Sequence, residues 1–218
     1  MSKRVPYSES FNHLISDKNR VTSLLNGCCF HSSSFELWYH SRRFIASAIH
    51  KNGTILDIGC ANGFLLRSFQ EWSGHALTPY GLDLNESFIE QAKLLFPQHK
   101  DHFLPFDILE LPDTNSLTLP RSFDFVYWAV WDNWTFQRPL EIRVIRSIAQ
   151  MVKDSGRLIL GLYHEDRRRS FAVITTLEEV GFSFSEVVEN FDGCEVVAWH
   201  EVSSLHATDS TPKNGNNT

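Results

Sequence analysis

Apolar residues along this chain alternate between short continuous runs and longer segments with a helical repeat. The short runs predict buried strands at 54–58, 78–84, 122–130 and 156–163, with a weaker candidate at 102–108. Apolar residues spaced by threes and fours predict helices after four of these runs, at 64–72, 86–96, 139–152 and 170–180. Strands that alternate with helices predict a doubly wound, mostly parallel sheet with helices on both faces.

Both ends of the chain depart from this alternation. The first 50 residues are predicted to be mostly helical, and Ser34 is placed to cap the last of these helices. Segments 182–190 and 193–202 predict two strands joined by a turn at Asn190–Gly193, which makes an antiparallel pair.

The expected organisation is one α/β domain with a helical cap. Residues 1–50 form the N-terminal helical cap of the same domain, and residues 51–202 form the sheet with its helices. Residues 203–218 are polar and rich in Asn, Thr, Ser and Gly, so a disordered tail is predicted there.

Composition restricts the classes of partner and the cellular compartment that we expect for the protein. The 218 residues are 42% hydrophobic and 21% charged, and the formal net charge of −6 argues against a nucleic-acid partner. No apolar run is long enough to cross a bilayer, and the N-terminus lacks the apolar stretch of a secretory signal. The cysteines match no zinc spacing and are expected to be free thiols, at Cys28, Cys29, Cys60 and Cys194. We therefore expect a cytoplasmic protein without a membrane segment.

The sequence DIGCANG, residues 57–63, lies between a predicted strand and a predicted helix. Gly59 allows a sharp turn, and Ala61 and Gly63 leave the loop without bulky side chains. A ligand can then lie against the backbone, and the start of the helix offers free N–H donors. The same loop also fits a tight turn that binds nothing, so the loop is weak evidence without its neighbours.

Three acidic residues strengthen the prediction of a ligand site, because each ends one of three consecutive strands. Asp57 ends the first, Asp83 ends the second, and Asp107 ends the third. A carboxylate at Asp83, which lies 20 residues beyond Gly63, can accept both hydroxyls of a ribose. Asp107 can accept a hydrogen bond from an exocyclic amine. Each acid alone is equally well explained as a solvated residue at the end of a strand.

The spacing of the loop distinguishes between nucleotide ligands. A nicotinamide or flavin dinucleotide is typically bound by G-x-G-x-x-G, and the order Gly59, Ala61, Gly63 does not match that spacing. Asp57 would also place negative charge close to the phosphates. A nucleotide-dependent oxidoreductase is therefore disfavoured, and a cationic or amine-bearing ligand is favoured.

Four segments carry a resemblance to a known family: LDIGCANG, FDFVYWAV, GRLIL and LEEVGF. Through them, roughly residues 35–200 resemble the class I S-adenosylmethionine-dependent methyltransferases. Ala61 stands where the family motif commonly has a middle glycine, which is a frequent variant. The resemblance implies a doubly wound, seven-stranded, mostly parallel sheet whose last strand is antiparallel. It also implies S-adenosylmethionine as the cofactor.

The resemblance also implies roles for individual residues. Asp57 and the loop of Gly59, Ala61 and Gly63 would hold the methionine part of the cofactor. The remaining cofactor contacts would come from Asp83 and its neighbour Leu84 at the ribose, Asp107 at the adenine amino group, Ile108 through its backbone N–H, and Trp128 near the sulfonium.

Catalytic residues are harder to predict, because methyl transfer is a direct displacement at an already activated carbon. A base is needed only if the acceptor arrives protonated. His164, which follows the fifth predicted strand at the same sheet edge, is the best candidate base, and Asp132 is the second. For each of them, a surface residue without a catalytic role is the more common explanation. No metal site is predicted, since Trp128 occupies about the place of a metal-binding aspartate in metal-dependent relatives.

The leading functional hypothesis is methyl transfer to a small-molecule acceptor by a monomer or homodimer. An alternative is RNA or protein methylation, which the basic run at 167–169 and the arginines at 42–43 would serve. A second alternative is a regulatory module that binds the cofactor without turnover.

Overall fold

The computed structural model describes residues 6–113, 117–164 and 166–202. Seven α-helices are present in this part of the chain: α1 Glu9–Ser16, α2 Lys18–Gly27, α3 Phe35–Arg42, α4 Phe64–Trp72, α5 Glu86–Leu95, α6 Pro139–Gln150 and α7 Arg167–Glu179. Seven strands accompany them: β1 Gly53–Ile58, β2 Leu77–Asp83, β3 Phe103–Pro105, β4 Phe123–Val130, β5 Val152–Tyr163, β6 Glu186–Glu189 and β7 Glu195–Glu201. Short 3-10 helices cover Arg43–Ala48, Lys100–His102 and Ile108–Asp113.

All seven strands join one sheet in the order β3-β2-β1-β4-β5-β7-β6. Strands β1 to β5 run parallel to one another, while β7 runs antiparallel to both β5 and β6. The predicted seven-stranded α/β fold with an antiparallel last strand is therefore confirmed. The strand order reverses next to β1, which is where sheets of this kind bind ligands.

Side chains alternate between the two faces of the sheet and feed two hydrophobic cores. On one face Ile55, Phe125 and Ile159 pack against the N-terminal helices and α4. On the other face Leu56 and Val126 pack against α6 and α7. Adjacent residues of one strand therefore lie in different cores. This alternation decides which side chains of a strand reach the ligand site.

Most predicted elements overlap the observed ones, but several boundaries differ. The third and sixth strands are shorter than the predicted 102–108 and 182–190, since they cover Phe103–Pro105 and Glu186–Glu189. The last helix of the cap starts where expected, because the Ser34 hydroxyl accepts a hydrogen bond from the N–H of Leu37 at 3.2 Å. It changes into a 3-10 helix at Arg43 instead of continuing to residue 50. Strand β5 begins at Val152, which pairs with Phe123 across an irregularity in register.

The helical cap packs directly onto the sheet domain. Phe11 and Trp38 share a core with Phe64, and their rings lie 6.3 and 5.7 Å from the Phe64 ring. The predicted tail, 203–218, lies outside the described residues. No helix in the described part of the chain is long and apolar enough to cross a membrane.

Candidate cofactor site

A cavity of about 180 Å³ opens at the carboxyl ends of β1, β4 and β5, on the face covered by the N-terminal helices. We call it the strand-end cavity. Its walls come from the cap, the loop after β1 and the ends of the strands, namely Cys28, Cys29, Trp38, Arg42, Asp57, Gly59, Cys60, Ala61, Leu65, Asp83, Phe88, Tyr127, Ala129, Trp131 and Tyr163. Four of the predicted cofactor residues are among them: Asp57, Gly59, Ala61 and Asp83.

The loop after β1 leaves an open backbone surface at Gly59. Its φ of 77° is a left-handed conformation, and a Cβ added there would meet no atom within 4 Å. Gly63 also has a positive φ, but a Cβ on it would come within 3.0 Å of the Phe96 ring. Gly63 therefore allows α4 to pack closely on α5, and Gly59 is the glycine that faces open space.

Asp57 brings a buried carboxyl to the cavity, and one of its two oxygens has no hydrogen-bond partner in the described part of the chain. The residue is 1% exposed, and Oδ1 accepts no hydrogen bond from any residue that the structure describes. Burial, and then repulsion from Asp83, hold the pKa of the Asp57 carboxyl well above its usual range. A buried acceptor of this kind is stabilised when a cationic donor is bound beside it.

Asp83 is held in position by two backbone donors. The N–H of Ala61 donates to its Oδ2 at 2.8 Å, and the N–H of Asn85 donates to its Oδ1 at 2.8 Å. The first bond ties the end of β2 to the loop after β1. The two acids that the sequence places 26 residues apart therefore flank one cavity.

Asp107 lies beside the same edge but outside the cavity. Pro105 pairs with Asp83 in the sheet, and the N–H of Phe106 donates to the Asp83 carbonyl at 3.0 Å. Asp107 follows directly, and its carboxylate caps the N–H of Leu109 at 2.9 Å. Leu84 is 72% exposed, and Ile108 is half-buried. The edge from β2 to β3 thus offers an open apolar surface next to two carboxylates.

A tyrosine pair forms the floor of the cavity on the β4–β5 side. The hydroxyls of Tyr127 and Tyr163 are hydrogen-bonded to each other above Gly161. A Cβ on Gly161 would lie 2.4 Å from the Tyr127 hydroxyl, so the close approach requires glycine. Burial raises the pKa of both hydroxyls, which keeps them protonated at neutral pH. The pair can therefore donate hydrogen bonds but does not act as a base.

Arg42 brings a positive charge to the wall contributed by the cap. The residue is buried, its guanidinium lies 4.6 Å from the centre of the Tyr163 ring, and it forms an ion pair with Glu195 of β7. Sequence patterns did not identify Arg42 as a residue of the cavity, because nothing in the local sequence shows that its side chain lies against Tyr163 and Glu195.

Asn62 holds the cap against the loop. Its side-chain amide donates to the Leu24 carbonyl at 2.9 Å, and its Oδ1 accepts from the Cys28 thiol at 2.9 Å and from the Phe64 N–H at 3.2 Å. Asn62 is fully buried, so these bonds satisfy it without water. The cap and the glycine loop are therefore one structure at the cavity.

Trp128 does not reach the strand-end cavity. It lies on the opposite face of β4 from Tyr127, where its indole packs against Trp134 and Phe136 at ring distances of 4.7 and 5.7 Å. Trp131, three residues later, lines the cavity instead, is 48% exposed, and lies 5.6 Å from the Tyr163 ring. The role of Trp128 at the sulfonium stays a prediction.

The two candidate catalytic residues lie together but outside the cavity. His164 Nε2 is 3.6 Å from a carboxylate oxygen of Asp132, and His164 Nδ1 is hydrogen-bonded to the Ser170 hydroxyl at 2.9 Å. His164 is 4% exposed, and burial lowers its pKa more than Asp132 raises it. Because it follows Tyr163 by one residue, it points to the other face of β5.

The basic run at 167–169 is paired with acids. Arg167 pairs with Glu189, Arg168 with Asp166 at 2.8 Å, and Arg169 approaches Asp132 at 3.9 Å. Within the described ranges, no group of three His, Cys, Asp or Glu side chains is arranged to hold a metal ion.

Comparison with known proteins points to a methyltransferase. The "Methyltransferase domain" family matches residues 55–156, which run from β1 into β5. The methyltransferase adrK of Penicillium roqueforti is 25% identical over 165 residues, which are 72% of this chain and 59% of that protein. The chain thus spans about three fifths of the length of this relative.

Solved structures show the same fold. A SAM-dependent methyltransferase from Aquifex aeolicus superposes with a TM-score of 0.59 at 15% identity, covering 85% of this chain and 98% of that one. The N-methyltransferase NodS from Bradyrhizobium japonicum, in complex with S-adenosyl-L-homocysteine, gives a TM-score of 0.56 at 18% identity, covering 89% and 97%. The matched methyltransferase domain, the strand order and the fold shared with these solved structures support a class I S-adenosylmethionine-dependent methyltransferase.

Proposed function

We propose that the protein transfers a methyl group from S-adenosylmethionine to a small-molecule acceptor, with the amino acid end of the cofactor in the strand-end cavity. The observation that carries this proposal is the buried, unpartnered carboxyl oxygen Oδ1 of Asp57 beside the open backbone of Gly59. S-adenosylmethionine has an α-ammonium group that would satisfy this carboxyl.

Other residues are assigned to the parts of the cofactor that they complement in charge or polarity. Arg42 is the cation on the cavity wall and would face the α-carboxylate, since guanidinium groups pair well with carboxylates. Asp83, fixed by two backbone donors, would accept the ribose hydroxyls. The open edge formed by Leu84, Asp107 and Ile108 would carry the adenine.

The residues of the cavity position reactants and exclude water more than they exchange protons. When bound, the cofactor supplies a methyl group already activated by its sulfonium. Tyr127 and Tyr163 both have raised pKa values and stay protonated, so the pair orients an acceptor by donating a hydrogen bond. His164, kept neutral by burial and accompanied by Asp132, lies outside the cavity on the other face of β5, so we assign it no contact with an acceptor there.

A small acceptor is favoured over RNA or protein by the charges around the cavity. The arginines at 167–169 are engaged by acids, Arg42 is buried with Glu195, and Arg43 lies over the ring of Tyr39. Asp57, Asp83 and the net charge of −6 add negative potential. The aromatic side chains of Trp131 and Tyr163 form a compact wall suited to a small organic molecule.

The test has two stages. Titration calorimetry with S-adenosyl-L-homocysteine examines the site, and Asp83→Ala is expected to weaken binding by roughly tenfold, because a charge-assisted ribose contact is lost. An unchanged affinity would remove Asp83 from the ribose role.

The second stage identifies the acceptor class. The protein is incubated with methyl-tritiated S-adenosylmethionine and, separately, with an organic extract, total RNA and total protein from its source cells. Label in the organic fraction is expected. Label in RNA or protein would support the alternative acceptor, and cofactor binding with no label in any fraction would support a regulatory module.

A further inference from the structure

Three cysteine thiols from two parts of the chain line the strand-end cavity. Cys28 and Cys29 follow α2 in the cap, and Cys60 lies in the loop after β1. The proposed methyl transfer gives none of them a chemical role. The same cavity holds the buried, unpartnered carboxyl oxygen of Asp57, so any ligand that reaches Asp57 passes close to these thiols.

Two of the three thiols are chemically quiet. The Cys28 thiol donates a hydrogen bond to Asn62 at 2.9 Å, and burial, followed by the charge of Asp57, raises its pKa to about 12. Cys60 is buried, and burial raises the pKa of its thiol well above the usual range. Because the thiolate is the nucleophile, these two residues react slowly at neutral pH.

Cys29 differs because it is exposed at the wall of the cavity. Its φ of 55° places it in a left-handed turn after α2, where its N–H donates to the Asn26 carbonyl at 3.1 Å. Cys194 is the other exposed cysteine, and it lies in the β6–β7 turn and does not line the cavity. Of the four cysteines, all of which the structure describes, Cys29 combines solvent access with a place on the cavity wall.

We propose that Cys29 is a covalent modification site at which a disulfide of the glutathione class closes the strand-end cavity. The Cys29 thiol loses its proton to solvent, and the thiolate attacks one sulfur of oxidised glutathione. A new disulfide joins Cys29 to one glutathione, the original disulfide breaks, and the second glutathione leaves as a thiolate.

The attached group blocks the cavity by its size. A glutathionyl group is a tripeptide, and the cavity that Cys29 lines holds about 180 Å³. A tripeptide attached to this wall occupies the space that the amino acid end of the cofactor would need. The inference rests on the cofactor placement proposed above.

The experiment uses the full chain as wild type, Cys29→Ser and Cys194→Ser, each treated with oxidised glutathione. Peptide mass analysis locates the adduct, and calorimetry measures binding of S-adenosyl-L-homocysteine before and after treatment. The expected result is an adduct on Cys29 that lowers the affinity by about tenfold or more and is reversed by dithiothreitol. Cys29→Ser keeps its affinity through the same treatment, and Cys194→Ser behaves like wild type.

Bound S-adenosyl-L-homocysteine is expected to slow the adduct at Cys29 and leave the adduct at Cys194 unaffected. The proposal is overturned if the adduct forms at Cys29 without a change in affinity, if only Cys194 reacts, or if the ligand gives no protection. Untreated protein that fails to bind the ligand would instead refute the proposed function, and this inference with it.

Discussion

The buried carboxyl of Asp57 makes cofactor binding sensitive to pH. In the free protein, burial and then repulsion from Asp83 raise its pKa well above the usual range, so the group holds a proton at mildly acidic pH. An ammonium group bound beside it requires the carboxylate form, so the complex has a lower pKa at the same group. Affinity is therefore full above the raised pKa of the free protein and is lost as the pH falls through it.

The size of the effect follows from one proton and one charge-assisted hydrogen bond. For each pH unit below the raised pKa, binding loses up to about 1.4 kcal/mol of free energy, which is a factor of roughly ten in the dissociation constant. Asp57→Asn removes the charged partner, which is worth about 1.5–3 kcal/mol at alkaline pH, or roughly 10- to 150-fold in affinity. The gap between the variant and wild type is expected to narrow on acidification, because wild-type Asp57 also becomes neutral.

The assay compares two ligands that differ in the group facing Asp57. Calorimetry between about pH 5 and pH 8.5 is run with S-adenosyl-L-homocysteine and with 5′-methylthioadenosine, which keeps the nucleoside but lacks the amino acid. Only the first ligand should bind more tightly as the pH rises. Buffers of different ionisation enthalpy should show up to about one proton released by wild type and none by Asp57→Asn. An identical pH response for both ligands, or a wild-type slope in the variant, would refute this reasoning.

Two further predictions use matched sites. Gly59→Ala and Gly74→Ala put the same left-handed strain into positions where a Cβ meets nothing within 4 Å, so each should lower the free energy of unfolding by about 1 kcal/mol in thermal unfolding. Calorimetry should find weaker S-adenosyl-L-homocysteine binding for Gly59→Ala alone. Equal affinities of the two variants would contradict the proposal that the cofactor lies against the open backbone of Gly59. Asp124→Asn should lower the free energy of unfolding by about 2 kcal/mol at neutral pH, because hydrogen bonds from Lys153 at 2.8 Å and Thr54 at 2.9 Å outweigh burial and lower the pKa of Asp124. In denaturant unfolding, the difference between variant and wild type should shrink below about pH 4. A difference that stays constant down to strong acid would contradict this prediction.

Periodicity and turn chemistry were enough to locate most elements and the ligand-binding edge. Alternating apolar runs and helical repeats gave the parallel sheet, and the Asn190–Gly193 turn gave the closing antiparallel pair. Strand-end acids were informative because carboxyl ends of parallel strands meet at one edge. Asp57 and Asp83 do line one cavity, and Asp107 lies beside them along that edge.

The sequence could not show which side chains complete the cavity, since that depends on contacts between distant segments. Arg42 and Cys29 reach it because the cap folds over the ends of the strands, and no local pattern encodes that packing. Trp128 and Trp131 are both aromatic residues at the end of β4, yet one enters a core and the other lines the cavity. The cause is that successive strand residues face opposite sides of the sheet, and only the packed structure assigns each side its neighbours.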